Sequence, residues 1–181
     1  SVMGEWTTDS VVGLTAIAAP AMANHPFVVE DAGVDLNSSY VSRGSVLADR
    51  ATLQPTLSLA VENTPLAVDV WGSFTMQDRQ VHSAADELDI TVSAGQSVAK
   101  LDVSAGVTHY NFTGAPTGSQ FSEELCVCCT HQSGLAPSAN YFYDFGLLDS
   151  SYATIGIAPS LTLNKSGSLA LSFAPTIGFG D

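Results

Sequence analysis

Three thiols stand together in Cys126-Val127-Cys128-Cys129. Thiolates cross-link chains and bind soft metals, so this is the first place to look for chemistry. On a strand, Cys126 and Cys128 point to one side and Cys129 to the other. A bond between adjacent Cys128 and Cys129 is strained, and Cys126 with Cys128 is also poorly placed. A cross-link to another chain, or to an ordered N-terminal arm, is geometrically easier, and Cys129 is the better intermolecular candidate. Three reduced, partly buried thiols are the plainer reading. His131 extends the run to Cys-x-Cys-Cys-x-His, but four ligands on one strand cannot share a face, so no metal site is expected.

Acidic residues cluster at Asp86, Glu87 and Asp89, and again at Glu123 and Glu124. Neither cluster has EF-hand spacing, so solvated acidic loops are expected rather than calcium sites. The histidines are His25, His82, His109 and His131. None belongs to a His-Glu-x-x-His motif, and no Gly-x-Ser-x-Gly elbow or phosphate-binding Gly-Lys loop occurs. No catalytic residues, enzyme activity or cofactor are expected.

The elements that carry these residues read as strands. From Gly33 onward the hydrophobic period is two. Val34, Leu36, Ser38 and Tyr40 share one face of the first candidate. Further candidates centre on Leu53–Val61, Leu66–Phe74, Leu88–Val92 and Leu101–Val107. Ser122–Gln132, Leu135–Phe145, Ile155–Leu163 and Leu169–Phe179 follow. That makes about nine strands joined mostly by short turns, longer than the usual 5–6 residues of a globular sheet. Longer loops fall at Gln77–Glu87 and Gly114–Gln120, and Asp78–Leu88 could hold a turn of helix. Pro55, Pro137, Pro159 and Pro175 fall inside candidates, where a bulge or an edge is expected.

One face of nearly every candidate is aliphatic. The other is small and polar, built from Ser, Thr, Gly, Ala and Asp. Small polar residues suit a narrow enclosed interior better than an open surface. The aliphatic face is therefore read as outward and the polar face as a lumen, which is the arrangement of outer-membrane barrels. The expected fold is an all-β, antiparallel up-and-down barrel of about 8–10 strands. A soluble barrel or sandwich with the aliphatic face inside is the alternative. Asp35, Asp69, Asp89 and Asp102 are the expected acidic lumen residues.

Composition agrees with this reading. The chain has 181 residues, 18 acidic and 5 basic, for a net charge of −13. Such a surface repels phosphate backbones, so nucleic acid is not an expected partner. Charged residues make up 13% and hydrophobic residues 45%, which excludes a disordered chain. The N-terminal run Val11–Ala23 resembles a secretory h-region ending in Ala-Met-Ala. Glu5 and Asp9 precede it where a signal has basic residues. Residues 1–32 are thus either a signal remnant or an apolar arm, and residues 33–181 the barrel.

Asp35-Leu-Asn-Ser-Ser-Tyr-Val-Ser-Arg-Gly44, Leu53-Gln-Pro-Thr-Leu-Ser-Leu59 and Val70-Trp-Gly-Ser73 resemble the start of the TorF-type putative porin family of Gram-negative bacteria. Glu124-Leu125, Leu135-Ala-Pro-Ser138, Tyr141-Phe-Tyr-Asp144, Tyr152 and the terminal Leu-Ser-Phe-Ala-Pro-Thr-Ile-Gly-Phe stretch resemble it too. The likeness spans roughly residues 33–180 and rests on short, tolerant motifs. It implies an outer-membrane-type barrel with a passive, non-enzymatic role. About nine strands depart from the even number usual in such barrels, and the apolar N-terminal segment and the thiols depart as well.

Two functions follow. In the first, which these departures favour, a porin-like barrel polymerises outside the cell into a filament or tube. An odd strand count leaves a free edge, and a free edge is a template for another chain. Val11, Val12, Leu14 and Ile17, or Phe27, Val28 and Val29, would add to a neighbour as a donor strand, and Cys129 would lock the contact. The partner is then another copy of the chain. In the second, a monomeric outer-membrane porin passes small solutes with mild cation preference, and its partner is lipid. Aromatic girdles test this: Tyr40, Tyr110, Tyr141, Tyr143 and Tyr152 comply in part, while Trp71 falls mid-strand on the lumen face.

Overall fold

The computed structural model describes residues 10–15, 26–76, 86–163 and 170–181. Every regular element among them is a β-strand. They are β1 (Ser10–Thr15), β2 (Phe27–Asn37), β3 (Tyr40–Ser42), β4 (Ser45–Ala48), β5 (Thr52–Val61), β6 (Leu66–Thr75) and β7 (Glu87–Val98). After them come β8 (Leu101–Phe112), β9 (Phe121–His131), β10 (Ser138–Asp144), β11 (Ser150–Gly156), β12 (Ser160–Thr162), β13 (Ala170–Ser172) and β14 (Thr176–Gly180).

Ten strands form one sheet in the order β1-β2-β5-β6-β7-β8-β9-β10-β11-β14, and every neighbouring pair is antiparallel. Two small hairpins, β3–β4 and β12–β13, stand apart from it. The sheet curves strongly, because Thr56 on β5 and Thr176 on β14 line the same cavity. Among the described residues no ladder joins β1 to β14.

The two faces have opposite chemistry. On the concave face lie Gln54, Ser58, Asp69, Ser73, Thr75, Asp89, Ser93, Thr108, Glu124 and Thr154, all buried. On the convex face lie Val34, Leu36, Leu53, Ile90, Val92, Val103, Val107, Leu125, Val127 and Ile177, all exposed. Adjacent residues make the inversion plain: Thr154 is 3% exposed and Ile155 is 62% exposed. The outward aliphatic face expected from the sequence is thus the face the curved sheet turns out.

Buried polar groups need partners. A chain of side chains supplies many: Asn37 Nδ2 donates to Gln54 Oε1 at 2.7 Å, and Gln54 Nε2 to Ser73 Oγ at 3.3 Å. The Thr75 amide and hydroxyl both donate to Asp86 Oδ1 at 2.8 Å. Ser122 donates to Asp144 at 2.8 Å, and Asp144 caps the turn after β10 through the amides of Gly146 and Leu148.

Several expectations are corrected. The first candidate strand does not run on to Tyr40. It ends at Asn37, the chain bends at Ser38–Ser39, and Tyr40 turns inward and is 1% exposed. The count in the sheet is ten rather than nine, because β1 joins it. The eighth and ninth candidates each divide at a proline. Ile157 N bonds Pro175 O and Phe173 N bonds Pro159 O, so the prolines face each other across the break between β11–β14 and β12–β13. Pro55 stays within β5. Its ladder to β6 lapses at Gln54–Pro55, opposite Gly72 and Ser73, and resumes in the same register.

The segment Phe27–Asn37 is a single strand crossing the expected boundary at residue 33, with a bulge between Val29 and Asp31. Of the donor-segment residues, Val12 and Leu14 pair with Leu36 and Val34 of the same chain, and Phe27, Val28 and Val29 pair with Val61, Ala60 and Leu59. Ile17 and most of the Asp78–Leu88 region lie outside the described residues, as do His25 and His82.

Candidate functional site: a polar cavity crossed by an inward hairpin

The concave face encloses a cavity of about 590 Å³. Its walls come from β5 through β11 and β14, and its floor carries the β3–β4 hairpin. That hairpin is closed by the turn Ser42-Arg43-Gly44-Ser45, with positive φ at both Arg43 (49°) and Gly44 (80°). Glycine adopts this region freely; an arginine there needs compensation.

The compensation is visible. The Arg43 guanidinium grips Glu124 with two nitrogens, Nη1 to Oε2 and Nη2 to Oε1, each at 2.7 Å. Its plane lies 5.0 Å from the Phe142 ring centre and 4.8 Å from that of Tyr152. A bidentate, ring-stacked arginine is a fixed group rather than a mobile one. Burial opposes the charge of Arg43, but the Glu124 carboxylate outweighs it and raises the guanidinium above its ordinary pKa. Tyr110 donates a second kind of bond to Glu124 Oε1 at 2.8 Å.

At the base of the hairpin, Tyr40 donates to Glu87 Oε2 at 3.0 Å and packs on Trp71 with ring centres 5.4 Å apart. Tyr40, Ala48 and Trp71 form the buried apolar cluster under the hairpin. Burial first, then the Glu87 and Asp89 carboxylates, push the Tyr40 phenol well above its ordinary pKa. Trp71, unexpected on a lumen face, is there because the hairpin packs on it.

The expected acidic lumen residues separate. Asp69 and Asp89 line the cavity. Asp35 is half-buried on β2 and does not reach it. Asp102 has the inward parity but stands at the far end of β8, bonded by Ser97 Oγ and, at 2.7 Å, by Gln132 Nε2. The acidic clusters also divide by strand alternation. Glu124 faces in, while Glu123 faces out and meets His109 Nδ1 at 3.0 Å. Asp86 serves Thr75, and Glu87 serves Tyr40. Of the tyrosines expected in girdles, Tyr40, Tyr110 and Tyr152 face inward, and Tyr141 is exposed on the convex face.

None of the three cysteines forms a disulfide among the described residues. Cys126 is buried and lines the cavity. Cys129 pairs with Val103 and Ala139, which belong to the convex rows. Among the described residues no three His, Cys, Asp or Glu side chains gather closely enough to hold a metal ion.

The inward arginine was the residue that sequence reasoning missed. Its signal was available: Ser-Arg-Gly-Ser is a turn sequence, and Arg43 is one of only five basic residues. Comparison with family models, curated proteins and solved structures finds no match to this chain.

Proposed function

We propose that the chain is a porin-like outer-membrane barrel that passes small polar solutes, with the β3–β4 hairpin narrowing its lumen. The observation that carries this is the inverted sheet: a convex face of exposed aliphatic side chains around a buried polar interior. Such a face is unstable in water and is satisfied by hydrocarbon. Strands β5 to β9 have 10–12 residues, and about 9–11 tilted residues cross a bilayer core. The up-and-down order and ten strands suit an even-numbered barrel of this kind. The motif resemblance to the TorF-type porins agrees with it. Arg43 is committed to Glu124, and the buried oxygens of Asp69 and Asp89 have no hydrogen-bond partner among the described residues, so the lumen presents acceptors, which favours cations.

The test is reconstitution. Discrete, heat-modifiable particles in detergent, and stepwise cation-selective conductance in planar bilayers, are expected. Ordered polymers formed in detergent-free buffer, with no conductance, would replace this reading.

A second reading is favoured by one observation: among the described residues β1 and β14 are sheet edges without a ladder between them. Edges of this kind accept another chain. In that reading the barrel assembles extracellularly into a filament, with convex faces buried between copies and Cys129 at the contact. A Cys129→Ser variant that assembles and resists heat as the parent does would remove the cross-link from it.

A further inference from the structure

The polar wall of the cavity contains two carboxylates that the network does not use. Asp69 is 8% exposed and Asp89 is 3% exposed, and none of their four oxygens has a hydrogen-bond partner among the described residues. Both line the cavity. Asp69 stands directly opposite Ser58 across the β5–β6 ladder, and the Ser58 hydroxyl is also buried and unpartnered. The two face each other and do not bond. Asp89 shares the inward face of β7 with Glu87, whose Oε2 accepts from Tyr40.

Carboxyl oxygens left without partners in a buried wall are costly, and the cost is relieved by a group that donates hydrogen bonds to them, the more so if it carries positive charge. Among the described residues Arg43 is the single basic one lining this cavity, and it is held by both nitrogens on Glu124. What is missing is therefore a cation that also donates hydrogen bonds. The donor set does not suit a chelated metal, because among the described residues no three His, Cys, Asp or Glu side chains gather closely enough to hold one. It does suit an ammonium group, whose N–H bonds match the acceptors of Asp69, Ser58 and Asp89. Trp71, opposite Asp89 across the β6–β7 ladder, also lines the cavity. A cavity of about 590 Å³ accommodates a small organic molecule.

We infer that Asp69 and Asp89 form a binding site for a primary-ammonium cation inside the cavity. The inference rests on the porin reading for its biological sense, since it names the class of solute the lumen would retain. It does not rest on it for its geometry.

The experiment uses the full chain in detergent micelles and putrescine as the probe. Binding is measured by calorimetry and by change in tryptophan fluorescence. Saturable binding is expected, weakened about tenfold or more in both Asp69→Asn and Asp89→Asn, the loss of one charge-assisted hydrogen bond. Glu62→Gln, an exposed position at a strand end, should bind as the parent does. A second measurement needs no variant. The hexamethyl bis-quaternary analogue of putrescine has the same charge and no N–H, and should bind the parent protein about tenfold or more weakly. Absence of saturable putrescine binding, equal binding by the aspartate variants, or equal affinity for the quaternary analogue would overturn the inference. Conductance without putrescine binding would remove the site and leave the porin reading standing. Putrescine binding without conductance would do the reverse.

Discussion

Arg43 and Tyr40 are the residues on which the hairpin depends. Glu124 keeps only 3% of its side chain exposed, whereas Arg43 keeps 34%. Removing the arginine strands a buried carboxylate with Tyr110 alone. Breaking a buried pair costs about 3–5 kcal/mol, and the partial exposure of Arg43 puts Arg43→Ala nearer ~2–3 kcal/mol. Urea unfolding of the reconstituted protein measures this. Arg43→Lys should recover only part of it, since an ammonium neither forks onto a carboxylate nor stacks on two rings. For Tyr40 the sign of the pH dependence follows from its raised pKa. The folded state holds the phenol proton past the pH, near ~10, at which an unfolded tyrosine releases it. Above that pH the unfolded state binds fewer protons, so Tyr40 makes stability fall as pH rises. Tyr40→Phe should flatten the alkaline decline of the urea midpoint. It also forfeits the bond to Glu87, so it should be less stable than the parent at neutral pH.

At the level of strands, the convex rows decide what surrounds the molecule. Val92 pairs with Val68 on one side and Val107 on the other, within an unbroken aliphatic row. Arginine at that position is nearly neutral if the row meets water, within about 0.5 kcal/mol. It costs about 2–4 kcal/mol if the row meets the centre of a bilayer. Unfolding of Val92→Arg in lipid vesicles is expected to give the larger value. On the opposite face, β14 passes beneath the Tyr152 ring so closely that a Cβ at position 178 would collide with its hydroxyl. Gly178→Val should push that ring off Arg43 and unsettle the hairpin without touching it, seen as loss of protection at residues 40–48 in hydrogen exchange.

The same scale shows what the sequence made legible. Strands β5 to β9 are readable because alternation persists through each of them, even across Pro55 in β5. Tyr40 was misread because Ser38 and Ser39 continue the alternation while the backbone bends. The broken pairs β11–β12 and β13–β14 were read as whole strands, although Pro159 and Pro175 marked the breaks. For the cavity, Asp69 and Asp89 were placed by parity alone. Asp102 has the same parity and lies beyond the cavity, since parity gives the face and says nothing of depth.

For the molecule as a whole, the hairpin matters because its turn residues Ser42, Arg43 and Gly44 line the cavity of the concave face. Deleting residues 39–49 removes Arg43 and Tyr40 together and leaves β2 and β5 adjacent. On the proposed porin reading, single-channel conductance should rise several-fold in the deletion, and cation preference should strengthen because Glu124 loses its counter-charge. Unchanged conductance would mean that the hairpin does not lie on the path.

The contacts of that hairpin are also distant along the chain. Every ladder in the sheet but two links strands consecutive in sequence, and the two exceptions merely step over a small hairpin. By contrast, Tyr40 reaches Glu87 across 47 residues and Arg43 reaches Glu124 across 81. Local pairings form early because little chain entropy is lost in closing their loops, and remote ones must wait. The order of events is then set by connectivity: the strands zip in succession, and the arginine docks only once β9 exists to receive it. Arg43→Ala should leave the fast phase of refolding into lipid unaltered and abolish or weaken a slow final one, so the hairpin acts as a latch on an already assembled wall.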